Sequence, residues 1–301
     1  MVSNSIVNLA FTFANNRALF YLRKAYKTLR TELLEEGFQG KYINAMQQAI
    51  LSCMVSAFVY GRLAVASQTK QIEKIQKQKN LIDDWSMPVD VIDVILKYDK
   101  QLLTSLFSKR QLTILYNEKD AMIQYFRPSA QALEFMKNYS FELASLQGRN
   151  IGRKAQLIVE NIMQQGLGTR QASFELANKI RGLTLFRARA IAQTETTRSY
   201  NLGTITEAQT SEIVKGYVFN AVLDQRTTDI CSERNGKFIP KDDISLIAEN
   251  TPPLHVNCRS RLEIVTEFDT RQYPNLERLD VPESIQRRSD VEAVIETLFR
   301  M

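Results

Sequence analysis

The sequence predicts an α+β protein: a helical N-terminal domain, then a small domain that combines helices with an antiparallel sheet. Two observations predict it. Over the first two thirds, apolar residues recur at three- and four-residue spacing, and the 301 residues hold only 7 Pro and 11 Gly. After about residue 211 the texture changes to short runs rich in β-branched and aromatic residues, set between turns. A run of helices followed by a run of strands is the pattern of an α+β architecture.

The elements follow in order. Ser5 to Glu36 contains neither Pro nor Gly, and Leu19, Leu22, Tyr26, Leu29 and Leu33 mark one helical face until Gly37 and Gly40 stop it. A second helix is expected from Tyr42 to about Lys79, apolar almost all round in its first half (Ile50, Leu51, Met54, Val55, Phe58, Val59) and so packed on several sides. Shorter helices are expected at 89–98, 100–118 and 128–146, the last with Pro128 near its first turn. Gln147 to Arg153 carries two glycines among polar and basic residues and reads as a linker. Helices at 153–165, 169–181 (capped by Thr169) and 184–211 come next. Strands are expected at 216–223, 237–239 and 261–265, and the final thirty residues hold Pro274, Pro282 and an amphipathic segment from Val291 to Phe299. The chain thus divides into 1–147, 148–268 and a 269–301 tail.

Composition excludes several chemistries. His255 is the only histidine, which removes two-histidine nuclease and protease designs. Neither a phosphate-binding G-x-x-x-x-G-K-[ST] loop nor a dinucleotide-binding G-x-G-x-x-G occurs. Cys53, Cys231 and Cys258 are too few for a secreted disulfide framework, and Met-Val-Ser-Asn-Ser at the start lacks a signal-peptide pattern, so a reducing cytoplasm is expected as the site of synthesis. The most apolar stretch, Ala49 to Gly61, is interrupted by Arg62 and is too short to span a membrane. Basic residues exceed acidic ones by six in 1–110 and by five in 111–200, whereas 201–301 carry an acidic excess of five. The first two thirds therefore suit a polyanion or an acidic protein. Lys70, Lys74, Lys77 and Lys79 form one candidate face for DNA or a partner; any DNA contact would reach phosphates, without sequence preference.

The densest chemistry lies in residues 224–260. Asp224-Gln225-Arg226-Thr227-Thr228-Asp229-Ile230-Cys231 is followed by Asn235-Gly236-Lys237 and by Pro252-Pro253-Leu254-His255-Val256-Asn257-Cys258-Arg259-Ser260. Cys231, His255 and Cys258 are ligand types that suit zinc, and Asp224 offers a fourth, hard ligand. Two other readings stay open: a hydrogen-bonded loop with two small buried thiols, or a Cys231–Cys258 disulfide. Upstream, Ala188, Ile191, Ala192, Glu195, Ser199 and Leu202 share a helical face, which places the Glu195 carboxylate on a small apolar stripe. A buried carboxylate needs hydrogen bonds or a cation. Arg198 is within helical reach, and Arg259 or the cysteine loop are further candidates, so a structural clamp of Glu195 with Arg259 is expected rather than catalysis.

Residues 184–262 resemble the phage head morphogenesis family of the Mu F / SPP1 minor head protein type. Arg189-Ala190-Ile191-Ala192-Gln193-Thr194-Glu195, Asn201-Leu202-Gly203, the Asp224-to-Cys231 run, Asn235-Gly236-Lys237 and Pro252-Pro253-Leu254-His255-x-x-Cys258-Arg259 carry the resemblance. Many relatives have a C-x-x-C pair where Thr228 stands, C-R-C where Ser260 stands, and Pro where Val256 stands. The resemblance implies a minor structural protein of a tailed-phage head, not an enzyme. It further implies association with the portal protein and other capsid proteins inside the capsid, in several copies per virion, with assembly in the host cytoplasm. A non-specific DNA-binding protein of the virion interior is the alternative. A small metal-dependent hydrolase is the remaining one, weakened because Asn257 stands where a deaminase-type signature needs Glu.

Overall fold

A computed structural model describes residues 3–35, 41–69, 91–164 and 169–272, together with Ile72. The order is α1 (Ser3–Glu35), α2 (Lys41–Thr69), α3 (Val91–Tyr98), α4 (Lys100–Leu106), α5 (Lys109–Asn117), α6 (Lys119–Phe126), α7 (Ala130–Gln164), α8 (Thr169–Gln209), β1 (Val214–Asn220), α9 (Asp229–Ser232), β2 (Phe238–Pro240), α10 (Ile244–Asn250), β3 (Arg261–Thr266) and α11 (Glu267–Gln272). The α+β class holds. Lys70, Lys74, Lys77, Lys79 and the segment 291–299 lie outside the described residues.

The buried stripe of α1 runs through Val7, Ala10, Phe11, Ala14, Ala18, Leu22, Ala25 and Tyr26. Leu22 and Tyr26 of the expected face are in it, and alanines supply much of the rest. Alanine contributes little apolar area but lets helix axes approach closely. α2 is the centre of the molecule: Met46, Ile50, Met54, Phe58, Val59 and Tyr60 are almost wholly buried, with α1, α7 and α8 against it. Residues 44–69 are long and apolar enough to cross a membrane, but the whole apolar window is covered by protein. A buried core helix meets the same length and composition test.

Three helix boundaries differ from the expected ones. The 100–118 helix is divided at Phe107 and Ser108, because Ser108 starts a new helix through a capping box: the Gln111 amide donates to Ser108 Oγ at 3.4 Å, and the Ser108 amide donates to Gln111 Oε1 at 3.0 Å. The short helix α6 was not anticipated. The expected linker at 147–153 is corrected, since α7 passes through Gly148 and Gly152 without a break. Likewise 169–181 and 184–211 are one helix, α8.

The sheet has the order β2-β1-β3 and is antiparallel throughout. Tyr217 pairs with Ile239 on one side and with Ile264 on the other, and an irregularity between Val214 and Gly216 shifts the β1–β3 register. Tyr217, Phe219, Ile239 and Leu262 are buried in the same apolar cluster as Leu202, Ile205 and Ala208 of α8. α1 also reaches this layer. The Phe11 and Tyr200 rings meet edge to face with centroids 5.3 Å apart, and the Arg261 guanidinium lies over the Phe11 ring while donating to Asn8 Oδ1. The N-terminal helices and the α8–sheet unit therefore share one continuous core.

Candidate functional site at the cysteine loop

The segment between β1 and β3 has little apolar mass of its own and is organised by polar contacts. Asp224 opens a turn in which the Arg226 amide donates to its Oδ1 at 2.9 Å and its own amide donates to Thr227 Oγ1 at 2.9 Å. That turn leads into α9, the single helical turn that carries Cys231. Asn235 and Gly236 then close the connection to β2. Asn235 Oδ1 accepts from the Ala221 amide at 2.9 Å, and Gly236 adopts φ +79°, a conformation in which glycine carries no Cβ penalty. After α10, residues 251–260 run back past α8 into β3, with a cis peptide bond between Pro252 and Pro253.

Helix α8 holds this loop through uncharged side chains on one stripe. Thr197 Oγ1 donates to the Cys258 carbonyl at 2.7 Å, and Gln193 Nε2 donates to the same oxygen at 3.3 Å. Asn201 Nδ2 reaches the carbonyls of Pro252 and Ser260, while Asn201 Oδ1 accepts from the Leu262 amide at 2.8 Å. Thr194 Oγ1 accepts from the Asn257 amide at 3.0 Å. The helix-to-loop clamp exists, but its residues are Gln193, Thr194, Thr197 and Asn201. The Asn201 side chain is fully buried, and truncation leaves the Leu262 amide without its acceptor. Asn201→Ala is therefore expected to cost about 1–3 kcal/mol, the penalty for a buried unsatisfied group. Urea unfolding measures that cost, and hydrogen exchange should show the Leu262 amide among the most deprotected positions.

The expected pairing of Glu195 with Arg259 is corrected. Glu195 is 3% exposed and faces α7, not the loop: Tyr139 Oη donates to its Oε1 at 3.2 Å and Arg198 Nε to its Oε2 at 3.2 Å. Burial pushes the Glu195 carboxyl above its ordinary value, opposed by the Arg198 charge and the two hydrogen bonds. The Tyr139 hydroxyl is pushed up to about 12, by burial and then by the Glu195 charge. Arg259 instead makes a two-pronged ion pair with Asp224, at 2.7 and 2.6 Å. This pairing holds the Asp224 carboxyl well below its usual range, through the Arg259 hydrogen bonds first and the Arg226 amide second. Asp224 is thus engaged by a cation, and among the described residues it is not in the group of ligand atoms that gather at the thiols.

Cys231, His255 and Cys258 do come together, with ligand atoms all within 4.8 Å of one another. Both sulfurs are buried, and the three cysteines of the chain are free thiols. Contact with Cys231 lowers the Cys258 thiol, with further help from the Ser260 and Leu254 amides against burial, and the same contact raises Cys231. Beside this group lies a cleft of about 570 Å³ whose lining includes His255, Val256, Arg226, Arg259, Arg189 and Phe186.

Sequence comparison assigns this segment. Residues 154–263 match the family described as phage Mu protein F like protein. No curated protein and no solved structure matched the chain. The matched span takes in the end of α7, all of α8, β1, β2, the whole cysteine loop and the first half of β3. Residues 154–263, just over a third of the chain, are therefore similar to the phage Mu protein F-like family.

Proposed function

We propose that this chain is a minor structural protein of a tailed-phage head, bound at or near the portal vertex inside the capsid, where it aids assembly or genome delivery. The observation that carries the reading is the Mu F-like domain at 154–263. The way the N-terminal helices are built onto it is consistent with a structural role. α1 and α2 share a core with α8, so a partner that grips the N-terminal helices would be coupled mechanically to the Mu F-like domain. The protein acts by binding. Its most prominent carboxylates are committed to structure, Glu195 to Tyr139 and Arg198, and Asp224 to Arg259. Portal protein is the principal partner, with docking through the N-terminal helices and the C-terminal amphipathic segment, and other capsid proteins are neighbours.

The test is direct. A purified portal ring mixed with the full chain should yield a complex in analytical ultracentrifugation under at least one assembly condition. Absence of a complex across the whole range of conditions would contradict the reading. Salt-sensitive retention of the chain on arbitrary duplex DNA, lost when Lys70, Lys74, Lys77 and Lys79 are neutralised, would favour the DNA-binding alternative instead.

A further inference from the structure

We propose that Cys231, His255 and Cys258 form a zinc site that staples α9 to the returning loop 251–260. The Cys231 and Cys258 sulfurs lie 3.8 Å apart, and His255 Nε2 lies 3.3 Å from Cys231 Sγ. Tetrahedral zinc, with Zn–S of about 2.3 Å and Zn–N of about 2.0 Å, spaces two thiolates by about 3.8 Å and a thiolate and an imidazole nitrogen by about 3.5 Å. The sulfur spacing already matches that geometry, and the sulfur–nitrogen spacing is within a few tenths of an ångström of it.

The imidazole is oriented for the role. His255 Nδ1 lies 2.9 Å from the Val256 carbonyl oxygen. A carbonyl only accepts, so Nδ1 is the donor, and in the neutral imidazole that a metal ligand requires Nε2 then presents its lone pair toward the sulfurs. A histidine ligand held by a backbone carbonyl through its other nitrogen is the usual outer support of a metal site. Two thiolates and one imidazole select zinc over magnesium or calcium, which prefer oxygen. Among the described residues no fourth His, Cys, Asp or Glu joins the group, so water completes the coordination. The segment stapled has a physical need for it: α9 is four residues long and β2 three. The free energy of binding metal to a preformed site adds to the stability of the folded state.

The experiment uses the full chain, purified without chelator, reduced, and exposed to Zn²⁺ alone. One zinc per chain should survive gel filtration, and zinc should block alkylation of Cys231 and Cys258 relative to the chelated protein. Cobalt(II) in place of zinc should give the visible bands of a tetrahedral ion and a thiolate charge-transfer band. Cys258→Ser should lose the metal, whereas Cys53→Ser, on α2, should keep it. Alkylation protection is read on the unaltered chain, so the test survives a variant that does not fold. Failure of the reduced chain to retain zinc, zinc retention by Cys258→Ser, or a Cys231–Cys258 disulfide in protein from a reducing cytoplasm would each overturn the proposal.

Discussion

Replacing Glu207 with Ala is expected to destabilise the chain by about 3–5 kcal/mol, the usual cost of leaving a buried charge without its partner. Glu207 is wholly buried on α8 and meets Arg62 of α2, with Arg62 Nη2 to Oε2 at 2.8 Å and Nε to Oε2 at 2.9 Å. Tyr125 Oη donates to Glu207 Oε1 at 2.8 Å, and the Arg62 guanidinium lies over the Tyr125 ring 4.7 Å from its centroid. Arg62 also donates to the Tyr125 and Arg127 carbonyls. One ion pair therefore joins α2, α6 and α8. Arg62→Ala should cost a similar amount. The double variant Arg62→Met/Glu207→Leu should lose far less than the two alanine losses combined, because it leaves neither charge buried alone. Equilibrium unfolding in urea measures all three; a loss below about 1 kcal/mol for Glu207→Ala would show the pair to be dispensable.

Gly203→Val is expected to separate α2 from α8. A Cβ at Gly203 would overlap the Phe58 carbonyl oxygen, and one at Gly61 would overlap the Tyr200 carbonyl oxygen. The two helices thus cross with backbone against backbone, each glycine facing the other helix. The obstacle is main chain, not a side chain that can turn away, so relief requires the helix axes to move apart and the interface to lose packing. A loss of at least about 3 kcal/mol follows, the upper end for overpacking. In a chain of this size that is a fall in Tm of about 5 °C. Gly61→Ala should act in the same direction, and differential scanning calorimetry reads both. The N-terminal helices should loosen first, since much of their contact with α8 runs through this crossing.

These two contacts show where the sequence was legible and where it was not. The apolar run of α2 announced a helix packed on several sides, because nearly every one of its residues avoids water. That Gly203 marks a helix crossing was not legible: a glycine in a helix pattern reads equally as a weak point, and its partner Phe58 lies far away in the chain. The 147–153 segment misled for a related reason. Each glycine costs a helix only about 1 kcal/mol relative to alanine. Packing on either side, at Ala144 and Ile158, holds α7 together across them.

At the site, the gathering of Cys231, His255 and Cys258 was visible from ligand type and spacing. The partner of Asp224 was not, since it depends on the loop returning Arg259 to a position 35 residues away in sequence. The clamp carried the most readable of the missed signals. Gln193, Thr197 and Asn201 recur every four residues and so share one helical face, beside the face of Glu195. Attention to charge favoured Glu195, but amides and hydroxyls satisfy buried loop carbonyls without the desolvation cost of an ion. In a loop-rich segment, uncharged polar residues at helical spacing are the better indicator of docking.

The measurement that bears most directly on the function is the amount of this chain in purified phage heads, by quantitative mass spectrometry, with and without the portal protein during assembly. A low, reproducible number of copies in complete heads, lost from heads built without portal, is the predicted result. Equal amounts in portal-less heads, or no chain in complete ones, would contradict a portal-bound minor head protein.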